Sequence, residues 1–371
     1  MRLLDRYLFR ELLTPLAFCL GGFLIFWISA DAFNNLAEFQ DAKLRPLDIL
    51  EYYLAMTPEF LVAILPIVLL LALLYSLTNH SRHNEITAMR AAGVSLWRLC
   101  VPYLAVGLAA SVVLFVLNEW CVPHGTDWAD RIKSRYVQRP REAGKLTEVR
   151  NFGFNNMREH HFWFMGEYHF KTAEMVNPQV IWVSPGGLDC QLNAKRAIHT
   201  NGVWTFFDVN VITTSNGQLL SSLQTNVLAM PEFDETRAQI LSEIKISKYL
   251  SLGGMGKINI PLADIWGYLR LHPVLSRADS SRLFTKLHGR LAAPWTCLVV
   301  VLIAIPFGAA SGRRNLFVGV AGSIFICFAY FVLQQVSLAL GAGGHLPAWL
   351  AAWLPNLFFG VTGLVLTARV R

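Results

Sequence analysis

Charge is scarce in this chain. Only 15% of its 371 residues are Asp, Glu, Lys or Arg, against 54% hydrophobic residues, and the mean hydropathy is +0.41. From Asn315 to Ala368 there is no Asp, Glu, Lys or Arg at all; the one side chain there able to charge near neutral pH is His345, inside the turn 341–347. A bilayer core about 30 Å thick needs roughly 20 mostly apolar residues per helical crossing. The stretch is long enough to cross, turn and cross back, which makes this an integral membrane protein.

Catalytic signatures are missing too. There is no HExxH, no paired CxxC, no GxSxG elbow and no GxGxxG ahead of a helix. The glycine-rich residues 253–256 precede Lys257, but a phosphate loop wants Gly where Ser251 stands and Ser or Thr where Ile258 stands; the segment reads as a turn. His124, His160, His161, His169, His199, His272 and His288 lie outside the apolar stretches. Neighbours on a strand face opposite sides, so His160 and His161 are read as solvated side chains and not as metal ligands. No catalytic residue and no metal site is expected. The net charge of +7 gives no reason to invoke nucleic acid.

Six apolar windows stand out, at 12–30, 60–77, 99–118, 291–312, 316–340 and 348–367. Backbone groups in lipid must be satisfied internally, so each is read as a helix despite Pro15, Pro66, Pro102, Pro294, Pro306 and Pro355. None holds an ionisable Asp, Glu, Lys or Arg, which argues against a proton- or ion-coupled carrier. Arg2, Arg6, Arg10, Arg82, Arg90, Arg98, Arg313, Arg314, Arg369 and Arg371 fall on one side; the opposite short loops hold only Lys43 and Arg45. The positive-inside rule therefore predicts both termini cytoplasmic and the long segment after window three outside. Window one is too long for a signal-peptide core and lacks a small-residue cleavage site, so it reads as a retained anchor.

The chain divides into 1–120 with three spans, 121–285 outside, and 286–371 with three more. In the middle segment, runs of Val, Ile, Phe, Trp and Thr alternate with turns: 180–183 ends at Ser-Pro-Gly-Gly, 194–199 leads to Asn201-Gly202, and 204–213 leads to Asn216-Gly217. Asn-Gly between alternating runs signals a hairpin, and the spacing predicts an all-β sandwich or roll, with helix resuming past Pro261. The fold class is thus membrane α-helical with an inserted all-β, jellyroll-like domain. Cys121 and Cys190, both outside, permit a disulfide, though two cysteines make a weak signal.

Two loops could carry function. Between spans two and three, Glu85, Ile86, Met89 and Arg90 form a short amphipathic helix that Gly93 would stop in a left-handed conformation. Such a helix can dock a soluble partner or merely lie on the headgroups. After span three, Arg131, Lys133, Arg135, Arg139, Arg141 and Lys145 crowd together with one acid, Glu142. Such a cluster can bind phosphate, contact acidic headgroups or stand solvated.

Five segments carry a resemblance. The loop EITAMRAAGVSLWRLCVP at 85–102 resembles the E-x-x-A-x-R-A-A-G-x-S segment of the LptF/LptG-type lipopolysaccharide-export permeases (the YjgP/YjgQ family). LDRYLFREL at 4–12 resembles that family's lead-in to span one, NEWCVPHG at 118–125 its Glu-Trp-x-x-Pro exit, RLAAPWTCLVVVLIAIPFG at 290–308 its fourth span and LAAWLPNLFFG at 350–360 its sixth. The exit leans toward the LptG type. The resemblance implies a non-catalytic permease subunit of an ABC transporter that takes lipopolysaccharide from the inner membrane and passes it to a periplasmic bridge. Its implied partners are a second LptF/LptG-type permease, a cytoplasmic LptB-like ATPase dimer that binds the ATP, and a single-span LptC-like periplasmic jellyroll protein. No cofactor of its own is implied. It further implies ATPase coupling through Glu85, Met89, Arg90 and Gly93, lateral gates at spans one and five, and lipid-phosphate contacts among Lys43, Arg45, Arg131, Lys133 and Arg135. Some family members carry a lysine near the outer end of span one; here Asp31 stands in that region and no lysine occurs before Lys43. The contrasting reading is a membrane-anchored receptor or scaffold whose β domain binds proteins.

Overall fold

The computed structural model describes residues 3–136, 148–169, 172, 174–184, 186–200, 202–215, 218–253, 258–308 and 316–369. They form two compact units. One comprises Met1–Gln40, Arg45–Ala129 and Arg277–Arg371; the other Asp41–Leu44 and Asp130–Ser276. The boundaries expected at 121 and 285 thus shift to 130 and 276, because helix continues past the apolar windows at both places.

In the first unit, α1 is Leu3–Asn34, α2 Leu36–Asp41, α3 Pro46–Arg82, α4 Glu85–Ala91 and α5 Leu96–Val116. A π-helical turn, Leu117–Cys121, joins α5 to α6, Val122–Tyr136, whose residues from Asp130 onward belong to the second unit. After the second unit come α9 (Arg277–Ala292), a 3₁₀ turn (Ala293–Trp295), α10 (Thr296–Gly308), α11 (Leu316–Ala342) and α12 (Ala348–Arg369). Among the described residues six helical segments are long and apolar enough to cross a membrane. Pro46 starts α3 at a position where its missing N–H costs nothing, while Pro294 breaks its helix into the 3₁₀ turn. Gly363 is needed where α12 crosses α10, since a Cβ there would lie 2.8 Å from the Leu302 carbonyl oxygen. Phe18, Ile25, Phe26, Phe325, Phe328 and Phe358 stay exposed on the outer faces, as lipid-facing positions require.

The second unit is a single antiparallel meander in the order β1-β2-β3-β4-β5-β6, with strands Glu148–Asn156, His161–His169, Glu174–Val183, Asp189–Thr200, Val203–Ser215 and Gln218–Met230. Helix α7, Arg237–Ser251, covers its inner face through Ile240 and Ile244, which join Trp163, Trp204, Phe206 and Phe233 in the core. Then follows α8, Leu262–Leu271. The all-β sandwich or roll expected from the strand spacing is built from this one antiparallel sheet, and a crease runs across it. Pairing skips Asn151 opposite Gly166, Asn177 opposite Gly166, Lys195 opposite Asp208, and Asn226. Asn151, Asn177 and Asp208 have φ of 50°, 49° and 51°. Strands alternate sides every residue, so each extra residue resets the phase: Met165 and then Tyr168 point inward on β2, Pro178 and Met175 on β3, Ala194 and Ala197 on β4, Phe206 and Val209 on β5. Asn and Asp tolerate the left-handed region better than other side chains, which is why they occupy the crease.

Two histidines differ from expectation. His161 is buried, with Nδ1 donating to Glu235 Oε1 at 3.0 Å, and Asn156 Nδ2 donates to the same oxygen at 2.9 Å. His272 is buried against Glu243 at 3.0 Å. They are buried hydrogen-bond partners of carboxylates, not solvated side chains. His160 lies in the preceding turn with φ 57°. Cys121 and Cys190 are free thiols.

Candidate functional site

The α3–α5 connection brings together residues from four helices. The last residues before α4, His83 and Asn84, leave the helical path; Asn84 takes φ 56°, which lets the chain reverse and restart at Glu85. The helix ends as Gly93 predicts. Gly93 has φ +85°, its N–H donates to the Arg90 carbonyl at 3.0 Å, and the Val94 N–H donates to the Met89 carbonyl at 3.1 Å. This is the paired arrangement that closes a helix on a left-handed glycine. Ser95 then caps α5, its hydroxyl accepting from the Arg98 N–H at 3.3 Å.

The inner face of α4 is seated on the spans. Ile86 is buried, and Met89 and Val94 pack against the same cluster as Leu8, Leu77, Leu99, Cys100, Tyr103 and Ile305. Glu85, which sequence patterning puts on the polar side, turns inward. Its Oε2 accepts from His80 Nδ1 at 2.7 Å and from the Tyr7 hydroxyl at 3.0 Å. His80 is 1% exposed, and the Tyr7 ring tilts over it with centroids 5.7 Å apart. Burial pushes the Glu85 carboxyl upward, but the hydrogen bonds from His80 and Tyr7 outweigh it and hold the group below the ordinary carboxylate range. Asp5 fastens the start of α1 to α5 through Arg98 at 2.8 Å. Thr87, Ala88 and Ala91 are left exposed on the outer side, with Arg90 half-buried. The result is a short helix held rigidly on one face and presenting small residues on the other, a shape that admits close approach by a partner.

The phosphate candidates lie around the α2–α3 turn and on α6. Lys43 stands in the α2–α3 turn with φ 51°. Arg45 precedes α3, its N–H donating to Asp48 Oδ2 at 3.0 Å. Arg131 and Lys133 lie on α6 and each already engages another group of the protein. Arg135 is on α6 by its backbone; its side chain, like Arg139, Arg141, Lys145, Arg313 and Arg314, lies outside the described residues.

Three of the family-like segments meet in the fold. Arg290, 6% exposed, donates from Nη2 to the Asn118 carbonyl and lies 3.5 Å from Glu119, joining the opening of the fourth span to the exit of the third. The π-helical turn at 117–121 frees that carbonyl from the regular ladder. Deeper in, Thr296 and Tyr330 hydroxyls lie 2.7 Å apart, Tyr330 donates to Asn356 Oδ1 at 2.6 Å, and Asn356 Nδ2 donates to the Ala292 carbonyl at 2.8 Å. That carbonyl is available because Pro294 interrupts the helix beside it. Among the described residues no group of three or more His, Cys, Asp or Glu could hold a metal ion.

Comparison with known proteins agrees with this arrangement. The family model for the lipopolysaccharide export system permease LptF/LptG matches residues 6–369. The permease protein LptG of Haemophilus influenzae is 21% identical over 324 residues, covering 85% of this chain and 84% of that protein. The permease protein LptF of Escherichia coli K12 is 20% identical over 369 residues, covering 97% and 93%. Both types match to the same degree, so the lean of the span-three exit toward LptG gains no support. With a model match over residues 6–369 and, among the described residues, six helices long and apolar enough to cross a membrane with an antiparallel sheet inserted between them in the sequence, the chain belongs to the LptF/LptG family of lipopolysaccharide export permeases.

Proposed function

We propose that this chain is the membrane subunit of an ATP-driven lipopolysaccharide extractor, paired with a second LptF/LptG-type permease and seated on a dimer of an LptB-like cytoplasmic ABC ATPase. The observation that carries the reading is the seat of α4. Glu85, Ile86 and Met89 bind it to α1, α3 and α5, so a displacement imposed on α4 is delivered to the spans and not absorbed by a floppy loop. Thr87, Ala88, Arg90 and Ala91 form the docking side. ATP binds to the partner, and this subunit performs no catalysis.

Both termini and α4 face the cytoplasm, and the β unit faces the periplasm, in keeping with the arginine bias of the short loops. Lys43, Arg45, Arg131, Lys133 and Arg135 remain the candidate lipid-phosphate contacts. Strand β6 supports transfer to an LptC-like jellyroll protein: it pairs only with β5 among the described strands and exposes Leu219, Leu220, Leu223 and Val227. An open apolar edge of this kind adds a further strand.

The test is purification of this chain from its native cells in mild detergent, with mass spectrometry of what accompanies it. An ABC ATPase, a second six-span permease and bound lipopolysaccharide are expected. A chain that emerges without ATPase or lipid across several detergents overturns the extractor and favours the scaffold.

A further inference from the structure

The end of the spans remote from α4 carries a cleft that none of the residues discussed above explains. It lies between the first turns of α9 and the α11–α12 turn, and its open volume is about 560 Å³. On the α9 side Arg277, Ser280, Ser281, Phe284 and His288 line it, at spacings of three and four that form one stripe of the helix. Facing them are Gly344, His345, Leu346, Pro347 and Trp349.

Among the described residues no carboxylate lines this cleft. Arg277 is exposed and has no ion pair among the described residues, while the nearby acid on α9, Asp279, lies 3.5 Å from Arg282. The walls therefore offer one fixed positive charge, two imidazoles and the Ser280 hydroxyl, with no carboxylate among the described lining residues to neutralise them. They are also firmly placed. Gly344, with φ +76°, lets the turn rest against Ser281, whose hydroxyl is 3.4 Å from where a Cβ would stand. Beneath the cleft, Gly341 packs on Thr285 and Ala351, and Ser337 donates to the Ala351 carbonyl at 2.6 Å. One side of the cleft is apolar: Phe284 and Trp349 are 39% and 56% exposed, and aromatic side chains of this kind mark the headgroup level of a membrane protein.

We infer that this cleft is a binding site for the phosphate of a lipid headgroup that carries net negative charge. Arg277 supplies the bidentate guanidinium that phosphate geometry favours, with His288, His345 and Ser280 completing the donor set; the Ser281 hydroxyl donates to the Arg277 carbonyl at 2.9 Å. Phe284, Leu346 and Trp349 take the glycerol and upper acyl portion. A free phosphate would leave that apolar wall unused, which is why a lipid is the ligand. The site rests on the chain's membrane embedding alone and requires neither the ATPase nor the proposed extraction.

The full-length chain, without partners, is placed in phosphatidylcholine nanodiscs that contain phosphatidylglycerol with a photoactivatable headgroup, and labelled peptides are mapped. Labelling is expected within 277–288 and 344–349. The Arg277→Gln and His345→Gln double variant should lower it by roughly fivefold or more, and Arg277→Lys should restore part of it. Labelling around the lipid-facing Phe325 and Phe328 should not change, which reports an intact fold. Equal labelling by photoactivatable phosphatidylcholine, or labelling that ignores the double variant, overturns the site. Erasure by inorganic phosphate overturns the lipid assignment in favour of a soluble anion.

Discussion

The phenol of Tyr7 and the carboxylate of Glu85 meet at 3.0 Å although 78 positions separate them in the chain. The bond runs from α1 to α4, and His80 from α3 reaches the same oxygen. One carboxylate thus gathers three helices at the point where the proposed ATPase would push.

Tyr7→Phe keeps the ring over His80 and removes one hydrogen bond. We expect a loss of about 1 kcal/mol at this partly exposed site, seen as roughly fivefold faster amide exchange across residues 86–91. Glu85→Gln should produce a similar change, and the double variant should be no worse than Glu85→Gln alone. Additive effects would show that the two side chains act independently.

Gly93 has open space around its Cα but a left-handed backbone. Conformation, not crowding, is therefore what a side chain there offends. Gly93→Val should destabilise the α4 closure by about 1–2 kcal/mol, and Gly93→Asn by clearly less. Amide exchange at Gly93 and Val94 against the wild type distinguishes the two; equal exchange in both variants would contradict the argument.

Asn356 holds together α9, α11 and α12 from inside the bundle. Asn356→Leu takes away one of the two partners of the Tyr330 hydroxyl, which keeps Thr296, and leaves the Ala292 carbonyl without its side-chain donor in an apolar interior, at a cost of about 1–3 kcal/mol. A lowered unfolding temperature in detergent is the expected result. Tyr330→Phe should cost a comparable amount, since it unpairs Thr296 and Asn356 Oδ1 together.

The two buried His–Glu pairs of the β unit respond to pH in opposite senses. Burial pushes the Glu235 carboxyl up, but the hydrogen bonds from His161 and Asn156 prevail and hold it low; its stabilisation is present above the ordinary carboxylate value and is lost as pH falls through the lowered one. Burial prevails over His272 at Glu243 and holds that carboxyl high; its contribution is present below the ordinary value and is lost as pH rises through the raised one. Glu235→Ala, which leaves His161 buried and unpaired, should cost about 3 kcal/mol at neutral pH and flatten the acid fall in stability. Glu243→Gln should be nearly neutral there. Amide exchange of β2 and α7 between about pH 4 and 8 reads both.

The six crossings were legible because their signal is a long run of apolar residues, which no local competitor obscures. The strand pairs beside the Asn-Gly dipeptides were legible too, as turn and alternation agree: Thr200 pairs with Val203 and Ser215 with Gln218. Helix α7 was not, for Arg237–Ser251 is polar and lies in a region whose alternation spoke for strands. The crease was hidden because Asn177 and Asp208 look like turn residues, and nothing local says that the same irregularity recurs on every neighbour. At the site, the Gly93 stop could be read from one residue type. The inward turn of Glu85 could not, since its partner Tyr7 sits in another helix and a carboxylate on a short helix is ordinarily taken as solvated. The pairing of Arg290 with Glu119 spans 171 positions and has the same cause.

The crease makes the length of each strand a collective property. Deleting Asn177 alone would leave Gly166 opposite nothing and turn Met175 outward while Pro178 and Val180 kept their side, so β3 could no longer satisfy both neighbours. An insertion elsewhere in a strand would meet the same obstacle. Six strands that each carry one surplus residue at the same level can only gain or lose it together, and the sheet tolerates changes of side chain far more readily than changes of count.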